Sequence, residues 1–296
     1  MKSLKTIAFL AITTWPPLLA QSDAGKLVVN VNPPISRNES AQNSTPVKLF
    51  LDAHELPITR VERLPNTPLH VVFVLDNGGH QQGLMSLARD YVVKLATAVH
   101  NSQPTFTVVS AAKDPEILAQ TGDPSALQSE LAHADTPLNS PQEESADLNA
   151  GIALAANLLS DAPGVRDIVI LSDDDDDING KGMQSVKTQL ATAHIRCFSI
   201  LLAQHDFFGT KARTAWGVRL NSLANFSGGA QYNTYWQSRQ SDEVVLRTVA
   251  ARVSSGNLVS FSIPANLNVR PGVYYLKVQL GDGKSMIRSS PFVLLR

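Results

Sequence analysis

The chain has almost no cysteine, which excludes a fold held together by disulfides. Its single cysteine, Cys197, cannot form an intramolecular bridge. Cys197 lies in the apolar run IRCFSILLA, so we expect it to be a small buried hydrophobic residue. A reactive thiol would need an exposed position and a histidine partner. The folded state must therefore depend on its hydrophobic core.

An excess of charge of one sign is also missing. Lysine and arginine number 25 and aspartate and glutamate 26, for a net charge of −1. The chain has no basic block, so we expect no nucleic-acid partner. Its 296 residues, 17% charged and 43% apolar, are ordinary for a globular protein and suffice for one large domain with a smaller one.

The short motifs of the common enzyme classes are absent. The sequence contains no GxSxG, no GxxxxGK[ST], and no GxGxxG after an apolar run. The seven histidines are scattered, with none paired at helical metal-binding spacing. We therefore predict that the protein is not an enzyme.

A continuous apolar segment lies at the N-terminus. Lys2 and Lys5 precede TIAFLAITTWPPLLA, which ends on the small residue Ala20. This layout predicts that residues 1–20 are a secretory signal peptide cleaved after Ala20, leaving no membrane span. A membrane anchor is the alternative, but the run is short and two prolines interrupt it. The prediction is an exported protein, periplasmic or extracellular in a bacterium.

The middle of the chain alternates between two hydrophobic periods. LHVVFVL, FTVVSAA, DIVILS and RCFSILLA are continuous apolar runs, typical of strands covered on both faces. Apolar stripes with helical spacing lie between and after them, starting at Leu84, Leu148, Met183 and Val245, and Ser241 is predicted to begin the helix that carries the last stripe. Residues 67–253 are thus predicted to be an α/β domain with a doubly wound, Rossmann-like, mostly parallel sheet.

Strand-like segments flank this domain on both sides. KLVVNV and VKLFLDAHELPITRVERL lie in residues 21–66, separated by a loop rich in Pro, Ser and Asn. Residues 254–296 contain NLVSFSIP, GVYYLKVQL and KSMIRSSPFVLL, with Gly-Asp-Gly as a hairpin turn. We predict a smaller antiparallel β-rich domain formed from both chain ends.

Three segments of the α/β domain occur in the order and spacing of a known family. PLHVVFVLDNGG resembles the first strand and metal loop of von Willebrand factor A domains. RDIVILSDDDDD resembles the strand end that carries the family's later aspartate, and LNSLANFSGGAQY its helix-to-strand junction. Over roughly residues 26–294 the pattern is most similar to exported bacterial proteins of acidobacterial type. The resemblance implies a binding or adhesion module.

The resemblance also implies a metal-ion-dependent adhesion site, in which oxygen donors from three loops bind Mg²⁺. The family's first aspartate corresponds to Asp76, its threonine to Thr136 and its last aspartate to Asp173. Its two serine positions are Gly78, which has no side-chain oxygen, and His80, whose imidazole is a poor Mg²⁺ ligand. We predict a degenerate site without the usual Mg²⁺. On an alternative reading Asp76 caps the next helix or binds loop amides.

The acidic run after the third apolar segment offers a second candidate for a cation. Asp175, Asp177, Asn179 and Gly180 match the first half of a calcium-binding loop. The closing glutamate of such a loop falls at Val186, so its bidentate ligand is missing. The interpretation is a solvated acidic loop, with weak Ca²⁺ binding as the alternative.

These observations predict an exported, non-enzymatic domain that binds an unidentified protein through what we call the loop edge, residues 77–82, 135–144 and 174–182. Its candidate binding residues are Asn77, Gly78, His80 and Asp174. The acidic excess favours a basic or amide-rich partner surface and binding that weakens with salt. The alternatives are a structural subunit of an envelope or surface assembly and a divalent-cation-dependent adhesin.

Overall fold

The computed structural model describes residues 25–29, 48–77, 84–133, 147–172, 180–202, 218–234, 241–264, 266–267, 269–279 and 286–294. The strands within these ranges are β1 (Gly25–Val29), β2 (Lys48–Leu51), β3 (His54–Leu56), β4 (Ile58–Arg63), β5 (Leu69–Asp76), β6 (Pro104–Ala111), β7 (Glu116–Thr121), β8 (Val165–Ser172), β9 (Arg196–Leu201), β10 (Gln231–Asn233), β11 (Asn257–Phe261), β12 (Gly272–Gln279) and β13 (Met286–Leu294). The helices are α1 (Leu84–Ala98), α2 (Pro124–His133), α3 (Leu148–Leu159), α4 (Gly180–Thr192), α5 (Val218–Ser227) and α6 (Asp242–Ser254).

A six-stranded sheet forms the centre of the α/β domain. Its strand order is β10-β9-β8-β5-β6-β7, and every pairing is parallel except that of the edge strand β7 with β6. The central strands β5 and β8 are buried almost throughout because helices cover both faces of the sheet, as continuous apolar runs require. The predicted doubly wound, mostly parallel sheet is confirmed.

Two helical layers sandwich this sheet. Apolar side chains of α1, α2 and α6 pack against one face of the sheet and form one core cluster with it. Those of α3, α4 and α5 pack against the other face and form a second cluster. Most described residues of the stripes that predict α1, α3, α4 and α6 are buried, whereas Leu87 and Met183 are partly buried. None of the helices within the described ranges is long and apolar enough to cross a membrane.

The sequence-based prediction omits two elements, β7 and α2. β7 is an edge strand in which only Ala119 is buried, so its sequence has no continuous apolar run. α2 buries only Leu127 and Leu131, too few residues for a clear helical stripe. Both lie at the periphery of the domain, where local hydrophobic patterns are weakest.

The last helix begins where the sequence predicts but is stabilised differently. Ser241 precedes α6, yet its side chain makes no capping hydrogen bond within the described part of the chain. The Tyr91 hydroxyl of α1 instead donates a hydrogen bond to the Asp242 carboxylate in the first turn of α6. Burial, followed by this contact, raises the pKa of Tyr91. The phenol therefore stays protonated and remains a donor that joins the two helices.

Two small antiparallel sheets stand beside the α/β domain, and each combines strands from both chain ends. One has the order β1-β11-β4 and the other β13-β12-β2-β3. Buried side chains from both sheets form one shared core: Leu49, Leu51, Leu56, Val259, Phe261, Leu276 and Val278. The predicted β-rich region built from both ends is confirmed, with two sheets rather than one. The predicted Gly-Asp-Gly turn lies outside the described residues.

A buried ion pair joins β8, β9 and α6 at the amino ends of the parallel strands. The Arg196 guanidinium donates to both carboxylate oxygens of Asp167, Nε to Oδ1 at 2.7 Å and Nη2 to Oδ2 at 2.6 Å. Its exposed fraction is 2% and that of Asp167 is 0%. The same guanidinium donates to the carbonyl oxygens of Arg252 and Val253 at the end of α6. One side chain thus stabilises the start of two strands and the end of a helix.

The junction between α5 and β10 rests against β9. Cys197 of β9 is fully buried, as predicted, and its N–H donates to the Ser227 hydroxyl at 2.8 Å. Burial raises the pKa of the Cys197 thiol, which opposes thiolate chemistry. A Cβ at Gly229 would lie 1.8 Å from the Cys197 carbonyl oxygen. The Gly-Gly of the junction therefore permits a backbone approach that no other residue allows.

Candidate functional site

The strand order creates a crevice between β5 and β8. The crossover from β5 leads through α1 to β6 on one side, whereas the crossover from β8 leads through α4 to β9 on the other. The two connections diverge at the carboxyl ends of these neighbouring strands. In open α/β sheets this switch point is where ligands bind. We therefore place the candidate site at the carboxyl ends of β5 and β8.

Asp76 and Ser172 meet at this switch point. Each is the last residue of its strand, and the parallel register pairs Leu75 with Leu171, so the two residues lie side by side. The Ser172 hydroxyl donates a short hydrogen bond to Oδ2 of Asp76. The exposed fractions are 2% for Asp76 and 0% for Ser172. The aspartate is therefore held inside the protein by the neighbouring strand.

Both side chains point to the face covered by α3 and α4. Alternation along β5 and β8 puts them on the same face as Val74 and Ile170. A Cβ at Gly151 of α3 would lie 2.5 Å from the Cβ of Ala111 and 3.3 Å from Cγ1 of Val74. The first turns of α3 thus pack directly on the sheet end that carries Asp76.

The N-termini of α3 and α4 also pack against each other. The Asp147 carboxylate caps α3 by accepting from the Ala150 N–H at 2.9 Å. A Cβ at Gly182, in the first turn of α4, would lie 2.7 Å from Cγ of Asn149, which is buried in the first turn of α3. Two helix N-termini, whose dipoles favour negative charge, therefore begin on the face to which Asp76 points.

Of the individual residues predicted to bind a metal or a partner, Asp76 and Asn77 lie in described ranges; residues 180–182 of the loop edge are also described and form the start of α4. Asn77 is half-buried directly after Asp76. Gly78, His80, Thr136, Asp173, Asp174, Asp175, Asp177 and Asn179 lie outside the described residues. Within the described ranges no group of three His, Cys, Asp or Glu side chains is arranged to hold a metal.

Sequence reasoning overlooked Ser172, although a signal for it exists. In the segment DIVILSD, the resemblance singles out Asp173 as a metal ligand, because carboxylates are the usual ligands of Mg²⁺. Strand alternation, however, puts Ser172 on the same face as Ile168 and Ile170, and therefore on the face of Asp76. A polar residue at the end of a buried apolar alternation predicts a contact with the neighbouring strand end.

The observed contact of Asp76 is with the neighbouring strand. Its carboxylate accepts from the Ser172 hydroxyl of β8, and α1 is described from Leu84 onward. Helix capping and contacts with loop amides stay predictions, because residues 78–83 lie outside the described ranges. Asp76 therefore belongs to the sheet, and its contact is set by the pairing of β5 with β8.

No protein-family model matches the chain, and no curated protein matches it. Among solved structures, the chain is similar to the conserved hypothetical protein BatB from Bacteroides thetaiotaomicron, with a TM-score of 0.49 and 11% identity over 63% of this chain and 97% of that chain. It is also similar to a von Willebrand factor type A protein from Catenulispora acidiphila, with a TM-score of 0.49 and 9% identity over 83% and 75% of the chains. For the ArnB paralog VWA2 from Sulfolobus acidocaldarius the TM-score is 0.44 and the identity 14%, over 86% and 75%.

The topology decides the fold. The six-stranded, mostly parallel sheet with helices on both faces and the aspartate at the end of β5 agree with the predicted architecture. The domain is von Willebrand factor A-like. Its switch-point aspartate occupies the position at which such a domain has the first aspartate of its metal loop.

The sequence of this A-like domain departs from the family's Mg²⁺-binding pattern at two positions. Mg²⁺ requires near-octahedral oxygen ligands, and the two positions that follow Asp76 in the family pattern are Gly78 and His80. The carboxylate of Asp76 already accepts a hydrogen bond from Ser172. The contact with Ser172 joins this carboxylate to the neighbouring strand, and the absence of the usual Mg²⁺ stays a prediction.

Proposed function

We propose that the protein is an exported, non-enzymatic binding module that recognises another protein through the loop edge, without Mg²⁺ in the contact. A-like domains are generally binding domains without catalytic activity. The observation that carries the proposal is the buried Asp76–Ser172 contact at the switch point, where this class of sheet binds its ligands. The location is periplasmic or extracellular, because residues 1–20 have the pattern of a signal peptide.

The charge of the loop edge supports a partner of a particular chemistry. Residues 173–177 are five consecutive aspartates, and Glu143 and Glu144 lie in the segment before α3. Acidic segments at one edge attract basic surfaces and repel acidic ones. The partner is accordingly a protein with a basic or amide-rich patch, and long-range attraction falls as salt shortens the Debye length.

The proposal is tested by isolating what co-purifies with the exported protein and measuring its affinity for two variants. The edge variant combines Asn77→Ala with Asp174→Ala. We expect it to weaken binding at least about tenfold, roughly 1.4 kcal/mol, because it removes polar contacts at the switch point. The matched control is Lys277→Glu, which changes an exposed charge on β12 and is expected to bind like the wild type in both low and high salt.

Two outcomes would favour the alternatives. Loss of binding in the Lys277→Glu variant, with the edge variant unchanged, would indicate a structural subunit that contacts its partner through the small sheets. Loss of wild-type binding in EDTA, restored by Mg²⁺ or Ca²⁺, would indicate a cation-dependent adhesin. Either result contradicts the proposed mode of binding.

A further inference from the structure

An arginine at the amino ends of the parallel strands holds the ends of two helices. Nε of Arg166, the second residue of β8, donates to the Ala162 carbonyl oxygen at 2.7 Å, shortly after α3. Its Nη1 donates to the carbonyl oxygens of Ser160 at 2.9 Å and of Ala193, directly after α4, at 2.8 Å. Carbonyl groups at helix C-termini lack partners within the helix and carry partial negative charge. The guanidinium therefore anchors α3 and α4 to the start of β8.

A histidine of the neighbouring strand lies beside this arginine. The parallel register pairs His70 of β5 with Arg166. Both side chains point to the face that carries Val72 and Ile168, because residues two apart in a strand share a face. Adjacent strands are about 4.8 Å apart, so the half-buried imidazole and the arginine side chain are direct neighbours.

The imidazole of His70 is placed unfavourably for a positive charge. Its Nε2 is buried and has no hydrogen-bond partner within the described ranges. A neutral imidazole can keep its proton on Nδ1, whereas the imidazolium ion must donate from both nitrogens. A buried donor without an acceptor costs free energy. Burial, followed by the charge of Arg166, accordingly lowers the pKa of His70.

Within the described ranges, the elements that pack on this face of β5 and β8 carry few other titratable groups. β6 and α3 contain none. Asp161, shortly after α3, acts on Arg166, and His194 follows α4. Lys187 of α4 contacts α5, and the other lysine of α4 lies in its first turn, at the opposite end of the helix. The charge that acts on His70 is that of Arg166, so protonation of His70 puts a second cation beside the first.

We propose that His70 and Arg166 form an acid-sensitive clamp: while His70 is neutral, Arg166 holds the ends of α3 and α4, and protonation of His70 weakens that hold. The clamp lies at the amino ends of the strands, so it is independent of the proposed binding at the loop edge. In the unfolded chain a histidine has a pKa of about 6.5, above that of His70 in the folded state. The unfolded chain therefore binds more protons below that pH, and stability falls on acidification.

The first test is a titration of His70 by nuclear magnetic resonance, with its ring signal assigned as the one that is missing in His70→Gln. In the wild type we expect a pKa below about 6.5. In Arg166→Met the neighbouring charge is gone, so the pKa is expected to rise. A wild-type pKa at or above that of an exposed histidine would overturn the proposal, and this result does not require the Arg166 variant to fold.

The second test compares wild type and His70→Gln at pH 7.5 and pH 5. The wild-type Tm is expected to fall by roughly 2 to 5 °C more than that of His70→Gln, because the glutamine cannot be protonated. At pH 5, amides at the C-terminal ends of α3 and α4 are expected to exchange with deuterium at least about twofold faster in the wild type than in the variant. Both proteins are measured at the same pH, so the intrinsic exchange rates cancel.

His194→Asn is the matched control, a second histidine near the end of α4. His194 has a φ of 53°, a conformation that asparagine tolerates. This variant is expected to keep the pH dependence of the wild type. Equal pH dependence of the wild type and His70→Gln would contradict the clamp, and so would its loss in His194→Asn.

Discussion

Replacing Arg196 with leucine is expected to lower the free energy of unfolding by about 3–5 kcal/mol. The change removes a guanidinium that is 98% buried and leaves the Asp167 carboxylate, itself fully buried, without its cation. It also leaves the carbonyl oxygens of Arg252 and Val253 without this donor. Because burial of Asp167 raises its pKa and Arg196 opposes that rise, the variant must either bury an unpaired charge or protonate the acid. Urea denaturation followed by circular dichroism measures the loss.

Two controls separate the buried pair from an ordinary ion pair. Lys94→Ala breaks the contact of Lys94 with Asp90, in which both side chains are about half exposed, and is expected to cost about 1 kcal/mol or less. The double replacement Arg196→Met with Asp167→Leu removes both charges and is expected to recover much of the stability lost by the single variant. If Arg196→Leu unfolds like the wild type, the pair does not join β8, β9 and α6 as described.

Replacing Gly229 with alanine is expected to destabilise the fold by about 3 kcal/mol or more. A Cβ there would lie 1.8 Å from the carbonyl oxygen and 2.6 Å from the carbonyl carbon of Cys197. Both are backbone atoms of a central strand, so relief requires β9 or the end of α5 to move. The Gly229 N–H also donates to the Ala224 carbonyl at 2.9 Å, which fixes the glycine at the end of the helix.

Gly272→Ala is the matched control for this change. A Cβ at Gly272 would meet only the Tyr274 ring, at 3.6 Å, an ordinary contact in strand β12. The same replacement is expected to be neutral or slightly stabilising there, because glycine in a strand costs conformational entropy. Equal destabilisation of the two variants in denaturant unfolding would show that the close approach of α5 to β9 is not what requires Gly229.

The central sheet is predictable from sequence because burial on both faces leaves a local signal. The runs that became β5 and β8 are apolar at nearly every position, and the acid after the first run already indicates the strand end. β7 and α2 leave no comparable signal, since each buries few side chains. The division of the flanking strands into two sheets depends on pairings between distant segments, such as β1 with β11, which local periodicity does not contain.

The site is predictable to a lesser extent. That Asp76 lies at the carboxyl edge follows from the strand it ends, and the structure confirms it. Strand alternation indicates the face on which Ser172 lies, but its contact with Asp76 also requires the register that pairs Leu75 with Leu171. Asp173, which the resemblance aligns with the family's last aspartate, follows Ser172 in sequence and lies outside the described residues. The side-chain contact therefore depends on strand register, which brings Asp76 beside Ser172, one residue before the acid that the resemblance singles out.

α6 connects the α/β domain to the small sheets. Its first turn, at Asp242, contacts α1 through Tyr91, and its last residues accept hydrogen bonds from Arg196. The chain then enters β11, the middle strand of one small sheet. The helix is therefore held to the α/β domain at both of its ends, directly before the chain enters the small sheets.

Binding of Mn²⁺ to the purified wild type and to Asp76→Asn, followed by the electron paramagnetic resonance signal of free Mn²⁺, tests the central claim most directly. Mn²⁺ takes the same oxygen ligands as Mg²⁺, and any ion held by the aspartates at 173–177 would bind both proteins alike. If the site lacks the usual Mg²⁺, as the sequence predicts, the two titrations are expected to coincide. One equivalent of Mn²⁺ bound by the wild type and lost in Asp76→Asn would show that Asp76 is a metal ligand.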